Sequence, residues 1–324
     1  MTDQLPVTPA SRVPAPSGIS PEAQRYLSLE DPFGDSPLPA DSTDVEAWTS
    51  WVASRDRAIV ERIGSLMPPD LPLERSEFQL DGVTTYVMRP THVPDSPATP
   101  IYVEIHGGGL IMGGGDACRL MASGGALGRS MITWAVDYRM PPRHPYPAAL
   151  DDCVAVYRHA LDQRAPEDIF VGGGSAGGNL AAALMLRAKD EGLPMPAALV
   201  LGTPEVDLTE SGDSFRTNLG VDHVLSPLMP VNLLYAGGHD LTEPYLSPLF
   251  GDVTGFPPTF LQTGTRDLFL SNTVRMHRKL RAAGVEAELH VGEAMPHGGF
   301  GGTAPEDREL AAEQALFLER HRRR

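Results

Sequence analysis

Val171-Gly172-Gly173-Gly174-Ser175-Ala176-Gly177-Gly178-Asn179 is the stretch on which the reading of this chain turns. It follows a short apolar run, Ile169–Val171, and leads into the Ala- and Leu-rich segment Leu180–Arg187. The order is therefore strand, turn, helix. Gly173 and Gly177, two residues either side of Ser175, permit a turn sharp enough to strain the serine backbone. The hydroxyl would then project from a sheet edge, before a helix N-terminus whose dipole favours developing negative charge. Gly172-x-Gly174-x-x-Gly177 also fits a phosphate-cradling dinucleotide loop. That reading needs an acidic residue ending the next strand. Asp190 and Glu191 end the helix instead, and Glu205 lies beyond the strand end near Gly202. This stretch alone leaves both readings open, with a plain glycine-rich turn beside them.

Outward from it, strands and helices alternate. Ile101–Ile105, Met131–Val136, Ile169–Val171, Ala197–Leu201, Thr259–Gln262 and Ala287–Val291 are short apolar runs, most with β-branched residues. Helical patterns fall between them at about 117–129, 148–163, 176–190, 271–283 and 305–321. Such alternation predicts an α/β fold with a mainly parallel sheet covered on both faces. Upstream, Phe78–Leu80 and Val83–Met88 flank Asp81-Gly82 and predict a hairpin. Trp48, Val52, Ile59 and Ile63 share one face of a helix within Val45–Ile63, which Pro68, Pro69 and Pro72 end. Residues 1–20 predict a loose arm, and 210–250 interrupt the rhythm with turn residues, as an insertion would. The expected divisions are 1–70 for an arm and cap helices, 71–209 and 251–324 for the α/β core, and 210–250 for a cap insertion.

The second signal is Glu104-Ile105-His106-Gly107-Gly108-Gly109, directly after a predicted strand. Acyl transfer needs backbone N–H donors aimed at a carbonyl oxygen as it becomes an oxyanion. Gly107, Gly108 and Gly109 expose such donors, and the N–H of Ala176 would add one. With this loop upstream, the serine-elbow reading prevails over the dinucleotide loop. His106 is read as bonding the loop rather than as a base. A base and its orienter should follow the serine in chain order. His297 follows the strand Ala287–Val291, and Asp267 follows Thr259–Gln262; both stand at strand C-terminal ends. Asp252 precedes its strand, and Glu293 would need a tight local turn. Ser175, Asp267 and His297 are the predicted catalytic set.

These residues, with Val136-Asp137-Tyr138-Arg139, Pro142, His144-Pro145, Pro147-Ala148-Ala149, Asp151-Asp152, Asp207-Leu208-Thr209, Pro257-Pro258-Thr259 and Met295-Pro296-His297, resemble the hormone-sensitive-lipase-like esterases of the α/β-hydrolase superfamily. The resemblance spans roughly residues 75–320. It implies an α/β-hydrolase fold with a helical cap, hydrolysis of short- to medium-chain carboxylic esters, no cofactor, and a possible homodimer. Leu110, Gly174, Glu205 and Ser271-Asn272 depart from the family pattern, which leaves the substrate open. Leu110, Glu205, Phe215 and Leu225 are candidate substrate contacts. The same three catalytic residues could serve a specialised ester, lactone or amide, or acyl transfer. A receptor without catalysis and a nicotinamide oxidoreductase are the outlying readings. Asp137, Tyr138, Arg139, Asp151 and Asp152 predict a buried structural network.

Composition limits the partners. Lys+Arg 26 against Asp+Glu 42 give a net charge of −16 over 324 residues. So acidic a surface disfavours nucleic acid and anionic membranes. Two cysteines, Cys118 and Cys153, are too few for a disulfide framework or a zinc cluster, and no metal is expected. No apolar run reaches the ~18 residues of a membrane span, so no membrane insertion is expected. Met1–Ser20 lacks the pattern of a secretory signal, and a soluble cytoplasmic enzyme of small-molecule esters is the expectation.

Overall fold

The computed structural model describes residues 13–29, 37–68 and 70–323. Most of the expected arm, residues 1–12, and Pro69 lie outside these. Eight strands form one sheet: β1 (Leu73–Leu80), β2 (Val83–Pro90), β3 (Ile101–Ile105), β4 (Ile132–Asp137), β5 (Ile169–Gly174), β6 (Ala198–Gly202), β7 (Thr259–Gly264) and β8 (Ala287–Gly292). Their order is β1-β2-β4-β3-β5-β6-β7-β8. The pairs from β4 to β8 are parallel, and β2 runs antiparallel to both β1 and β4. The hairpin turn places Asp81 at φ 50° and Gly82 at φ 87°, the pair of positive angles that matches strand twist.

The helices are α1 (Pro21–Ser28), α2 (Val45–Leu66), α3 (Asp116–Arg129), α4 (Ala148–Gln163), α5 (Ala176–Asp190), α6 (Ser214–Thr217), α7 (Met229–Ala236), α8 (Leu270–Ala282) and α9 (Pro305–Arg320). Alternation along the strands sorts them into layers. Ile101, Val103, Val171, Leu199 and Leu261 join one large core with α4, α5 and α8. Tyr102, Phe170, Val200 and Phe260 point the other way, onto Phe317 and Leu318 of α9. On that second face α3 packs Cys118, Ala122 and Ala126 against Met88 and Ala135. Burying these apolar surfaces, at about 25 cal/mol per Å², is the main force holding the layers together.

Strand order reverses between β3 and β5. The loops leaving those two strands therefore diverge to opposite sides and open a crevice at the sheet's C-terminal edge, the place where ligands bind in such sheets. Three other segments crowd that edge. Trp48 of α2, Ile111 and Val231 of α7 form a cluster, with Trp48 and Trp51 edge to face at 6.0 Å. Residues 210–250 contain α6 and α7 and no strand. Ser20 donates to Glu306 through its N–H at 2.7 Å and its hydroxyl at 2.8 Å, and Tyr26 packs on Phe300.

Candidate active site

Ser175 stands between β5 and α5 at φ 57°, ψ −122°. A non-glycine residue rarely adopts a positive φ, at a cost of about 1–3 kcal/mol, so the surrounding packing must impose it. The packing is visible at Gly177: a Cβ there would lie 2.0 Å from Ile105 O. Only glycine lets α5 sit so close to the end of β3. The elbow is pinned on its other side. Ser175 N–H donates to Gly202 O at 2.8 Å, and Glu205 N–H donates to Ser175 O at 3.2 Å. Ser175 itself is half-buried and Gly174 is exposed, so the serine faces accessible space.

The glycine loop lies against this turn. A Cβ on Gly107 would be 3.4 Å from Ser175 Cβ. Gly108 has φ 127°, and any Cβ there would fall 2.0 Å from Met112 O. The loop's own turn bonds use the amides of Ile111 and Met112, both onto Gly108 O at 3.2 and 3.0 Å. Those of Gly107, Gly108 and Gly109 take no part in them. The N–H of Ala176 is the first of α5, where no intrahelical acceptor exists. His106 is held inside the loop: its Nδ1 lies 2.8 Å from Gly107 O, and its ring stacks on Tyr138 at 4.0 Å. Burial pushes its pKa down, so it is neutral. Tyr138 donates to His106 O at 2.9 Å. Asp56 of α2 accepts from Gly113 N–H at 2.7 Å and fixes the loop from above.

His297 Nδ1 and Asp267 Oδ1 are 3.0 Å apart, both side chains enclosed. Asp267 also accepts from Thr263 Oγ1 at 2.6 Å and from Phe269 N–H at 2.8 Å. Its carboxylate is thus aimed rather than free to rotate. Burial alone would lower the pKa of His297, but the charge and hydrogen bond of Asp267 outweigh it. Asp222 adds to the upward shift. A buried carboxylate orients an imidazole at the sheet edge that also carries the strained serine, and groups of these kinds can together make a hydroxyl nucleophilic. Asp222, which sequence reasoning missed, fastens the insertion here. Its Oδ2 accepts from Leu268 N–H at 2.8 Å and its Oδ1 from Val224 N–H at 2.9 Å.

The four expected substrate contacts separate into two pairs. Phe215 packs with Leu268 and Phe269, and Leu225 joins that cluster. Phe269 meets His297 edge-on at 4.9 Å, so this apolar patch borders the imidazole. Leu110 and Glu205 have no exposed surface. Leu110 belongs to the main core, and neither oxygen of Glu205 reaches solvent. The expected buried network also needs correction. Asp152 is buried and takes a two-pronged grip from Arg139, at 2.6 and 3.0 Å, but Arg139 and Asp151 are exposed. Asp151 points outward toward Arg187 instead. Among the described residues, His106, Cys118 and Asp137 bring metal-ligand atoms within 4.8 Å of one another behind the loop. Protein bonds already hold two of them, His106 to Gly107 O and Asp137 to Gly115 N–H at 3.0 Å. Both cysteines are free and buried.

Known proteins resemble this chain in sequence and in fold. A family model described as the alpha/beta hydrolase fold matches residues 102–300. The chain belongs to the α/β-hydrolase family. Within it, the chain is similar to an esterase of Acinetobacter venetianus, at 33% identity over 81% of this chain and 87% of that protein. It is also similar to the carboxylesterase NlhH of Mycobacterium tuberculosis, at 33% identity over 71% and 76%. Among solved structures, esterase E25 superposes with a TM-score of 0.86 at 37% identity, over 98% of this chain and 99% of that one. An esterase of the bacterial hormone-sensitive-lipase family gives 0.82 at 30%, over 93% and 98%. These likenesses make the chain a hormone-sensitive-lipase-like esterase, a carboxylic ester hydrolase. No helix among its described residues is long and apolar enough to cross a membrane.

Proposed function

We propose that this α/β hydrolase cleaves short- to medium-chain carboxylic esters through Ser175, His297 and Asp267 and an acyl-enzyme. The observation that carries the reading is the 3.0 Å contact of His297 with Asp267, at the same sheet edge as a serine held at positive φ. Ser175 Oγ attacks the ester carbonyl while His297 Nε2 takes its proton. Asp267 holds the Nδ1–H tautomer and supports the imidazolium. The carbonyl oxygen becomes an oxyanion among the N–H groups of the Gly107–Gly109 loop and Ala176; each donor of this kind is worth about 10²–10³ in rate. The tetrahedral intermediate collapses, the C–O bond to the alcohol breaks, and His297 returns the proton to the leaving oxygen. Water, deprotonated by the same imidazole, then releases the acid.

The chain-length range is what the family resemblance implies, and the apolar patch of Phe215, Leu225 and Phe269 beside His297 supports an acyl group held there. Because Asp267 raises the His297 pKa, kcat/KM should climb with pH through a point above the ordinary value of 6.5. The test is kcat/KM on p-nitrophenyl esters from acetate to laurate, with Ser175→Ala as the blank. A maximum at short acyl chains that vanishes in Ser175→Ala is expected. Undiminished turnover in that variant would overturn the assignment.

A further inference from the structure

Glu205 is a buried acid that the mechanism does not use. It follows β6 and is tied to the elbow at both main-chain atoms: its N–H donates to Ser175 O, and its carbonyl accepts from Asn179 Nδ2 at 2.7 Å. Its side chain is fully enclosed, and neither carboxyl oxygen has a hydrogen-bond partner. Such orphans are rare in folded proteins and costly. The side chain beside it is Asn232 of α7, also fully enclosed. Asn232 Nδ2 donates to Leu208 O at 3.2 Å, while its Oδ1 has no partner. With Nδ2 turned to Leu208 O, Asn232 has only an acceptor left to offer the carboxyl, and an ionised carboxylate has no proton to give it. One proton on the carboxyl satisfies both groups.

We propose that Glu205 is a positioning residue for ester hydrolysis: as a neutral acid it donates its O–H to Asn232 Oδ1, and so fastens α7 to the elbow. This rests on the reading of Ser175 and the glycine loop as the reaction centre. The bond matters because α7 braces that loop. Val231, next to Asn232, packs with Ile111, and a Cβ on Gly109 would meet Val231 Cγ1 at 3.4 Å. The charged neighbours of the carboxyl are Glu210 and His297. Burial first, and the charge of Glu210 second, push its pKa up to about 8, against smaller downward pulls from the Asn232 side chain and then from His297. Glu210 lies in the loop before α6 and accepts from Leu228 N–H, at the start of α7. Loss of the Glu205 proton therefore removes the bond, adds repulsion from Glu210, and releases α7 from the elbow. The glycine loop then loses its brace, and the transition state loses donors held in place.

The test compares wild type, Glu205→Gln and Glu205→Leu. Steady-state kinetics on p-nitrophenyl butyrate run from about pH 6 to about pH 10, corrected for spontaneous hydrolysis. In wild type, kcat should fall above about pH 8 with KM little changed. Glu205→Gln keeps an N–H donor for Asn232 Oδ1 and cannot ionise, so it should keep the neutral-pH kcat and lose the fall. Glu205→Leu has no donor and cannot ionise, so it should lie about tenfold below wild type at neutral pH, the worth of one buried hydrogen bond, and lack the alkaline fall. A wild-type-minus-Gln infrared difference spectrum near neutral pH should show the C=O band of a protonated carboxyl. That readout needs no turnover, so it separates failure of this proposal from failure of the esterase reading. An unchanged alkaline fall in Glu205→Gln, a Glu205→Leu enzyme as active as wild type, or a missing carboxyl band would overturn it.

Discussion

Replacing Asp267 with Asn tests the charge in the site apart from its shape. The carboxylate binds three donors: His297 Nδ1 at 3.0 Å and Phe269 N–H at 2.8 Å on Oδ1, and Thr263 Oγ1 at 2.6 Å on Oδ2. An amide has the same outline. If its nitrogen replaces Oδ2, the Thr263 hydroxyl can rotate and accept, so the oxygen still faces His297 and Phe269. Geometry and tautomer survive, and only the negative charge is lost. Two unit charges about 4 Å apart interact by about 4 kcal/mol at an effective dielectric near 20. That energy stabilises the imidazolium formed as Ser175 attacks, so its loss predicts a kcat lowered by about three powers of ten. The pKa shift gives a second readout of known sign. Asp267 is what holds the imidazole above its ordinary 6.5 against the effect of burial. In Asp267→Asn the imidazole loses its proton at lower pH, so the acid limb of kcat/KM should move down. Stopped-flow acylation with p-nitrophenyl acetate over a pH series measures both. A rate within tenfold of wild type, or an acid limb that stays put, would refute the assignment of Asp267 as the orienting charge.

Gly108→Ala should cost at least about a hundredfold in kcat/KM. Its Cβ would fall 2.0 Å from Met112 O at φ 127°, so the loop must move; near-normal kinetics would show that the Gly108 conformation is dispensable. Glu205→Gln should change how stability depends on pH. The Glu205 carboxyl is raised from 4.5 to about 8 in the folded chain, so its contribution is fully present below pH 4.5 and is lost as pH climbs toward 8, by up to about 5 kcal/mol. Urea unfolding at the two ends of that window should show wild type losing stability relative to Glu205→Gln as pH rises; parallel curves would contradict a buried neutral acid. Phe215→Ala should shift the p-nitrophenyl ester optimum toward longer acyl chains, since Phe215 packs with Phe269 beside the base. An unmoved optimum would place the acyl chain elsewhere.

The sheet's centre was legible because period and composition agreed there. Runs such as Ile101–Ile105 and Ala198–Gly202 are buried on both faces and need no polar alternation. Two strand limits were not legible. β5 continues through Gly172, Gly173 and Gly174, where propensity argues against a strand. Pairing with β3 and β6 carries it, and Tyr102 needs the space: a Cβ on Gly172 would lie 2.1 Å from its hydroxyl. β1 begins at Leu73, five residues before the apolar signal at Phe78, because it is an edge strand with Glu74, Arg75 and Glu77 exposed. Charges on an edge discourage pairing with another chain and also hide the strand from a hydropathy reading.

Chain order placed Ser175, Asp267 and His297 because each follows a strand, and a parallel sheet gathers its strand ends on one edge. What holds those residues was hidden for the converse reason. Asp222 reaches Leu268 N–H, Asp56 reaches Gly113 N–H, and Glu205 adjoins Asn232. In each pair one partner lies outside the regular strand–helix alternation, in an N-terminal helix or in the 210–250 stretch, and no sequence spacing encodes the meeting. α7 shows why that stretch looked featureless. In Met229–Ala236, Val231, Asn232, Tyr235 and Ala236 are buried and the exposed positions are Pro230 and Leu233, so no polar face marks the helix. So short a helix is stable only where a larger body packs against it. Part of its support comes from Ile111 after the glycine loop and Trp48 of α2, the surfaces it braces, and part from Tyr146 against Tyr235. The donor loop and its cover therefore stabilise each other, and a substitution in either should be felt in both.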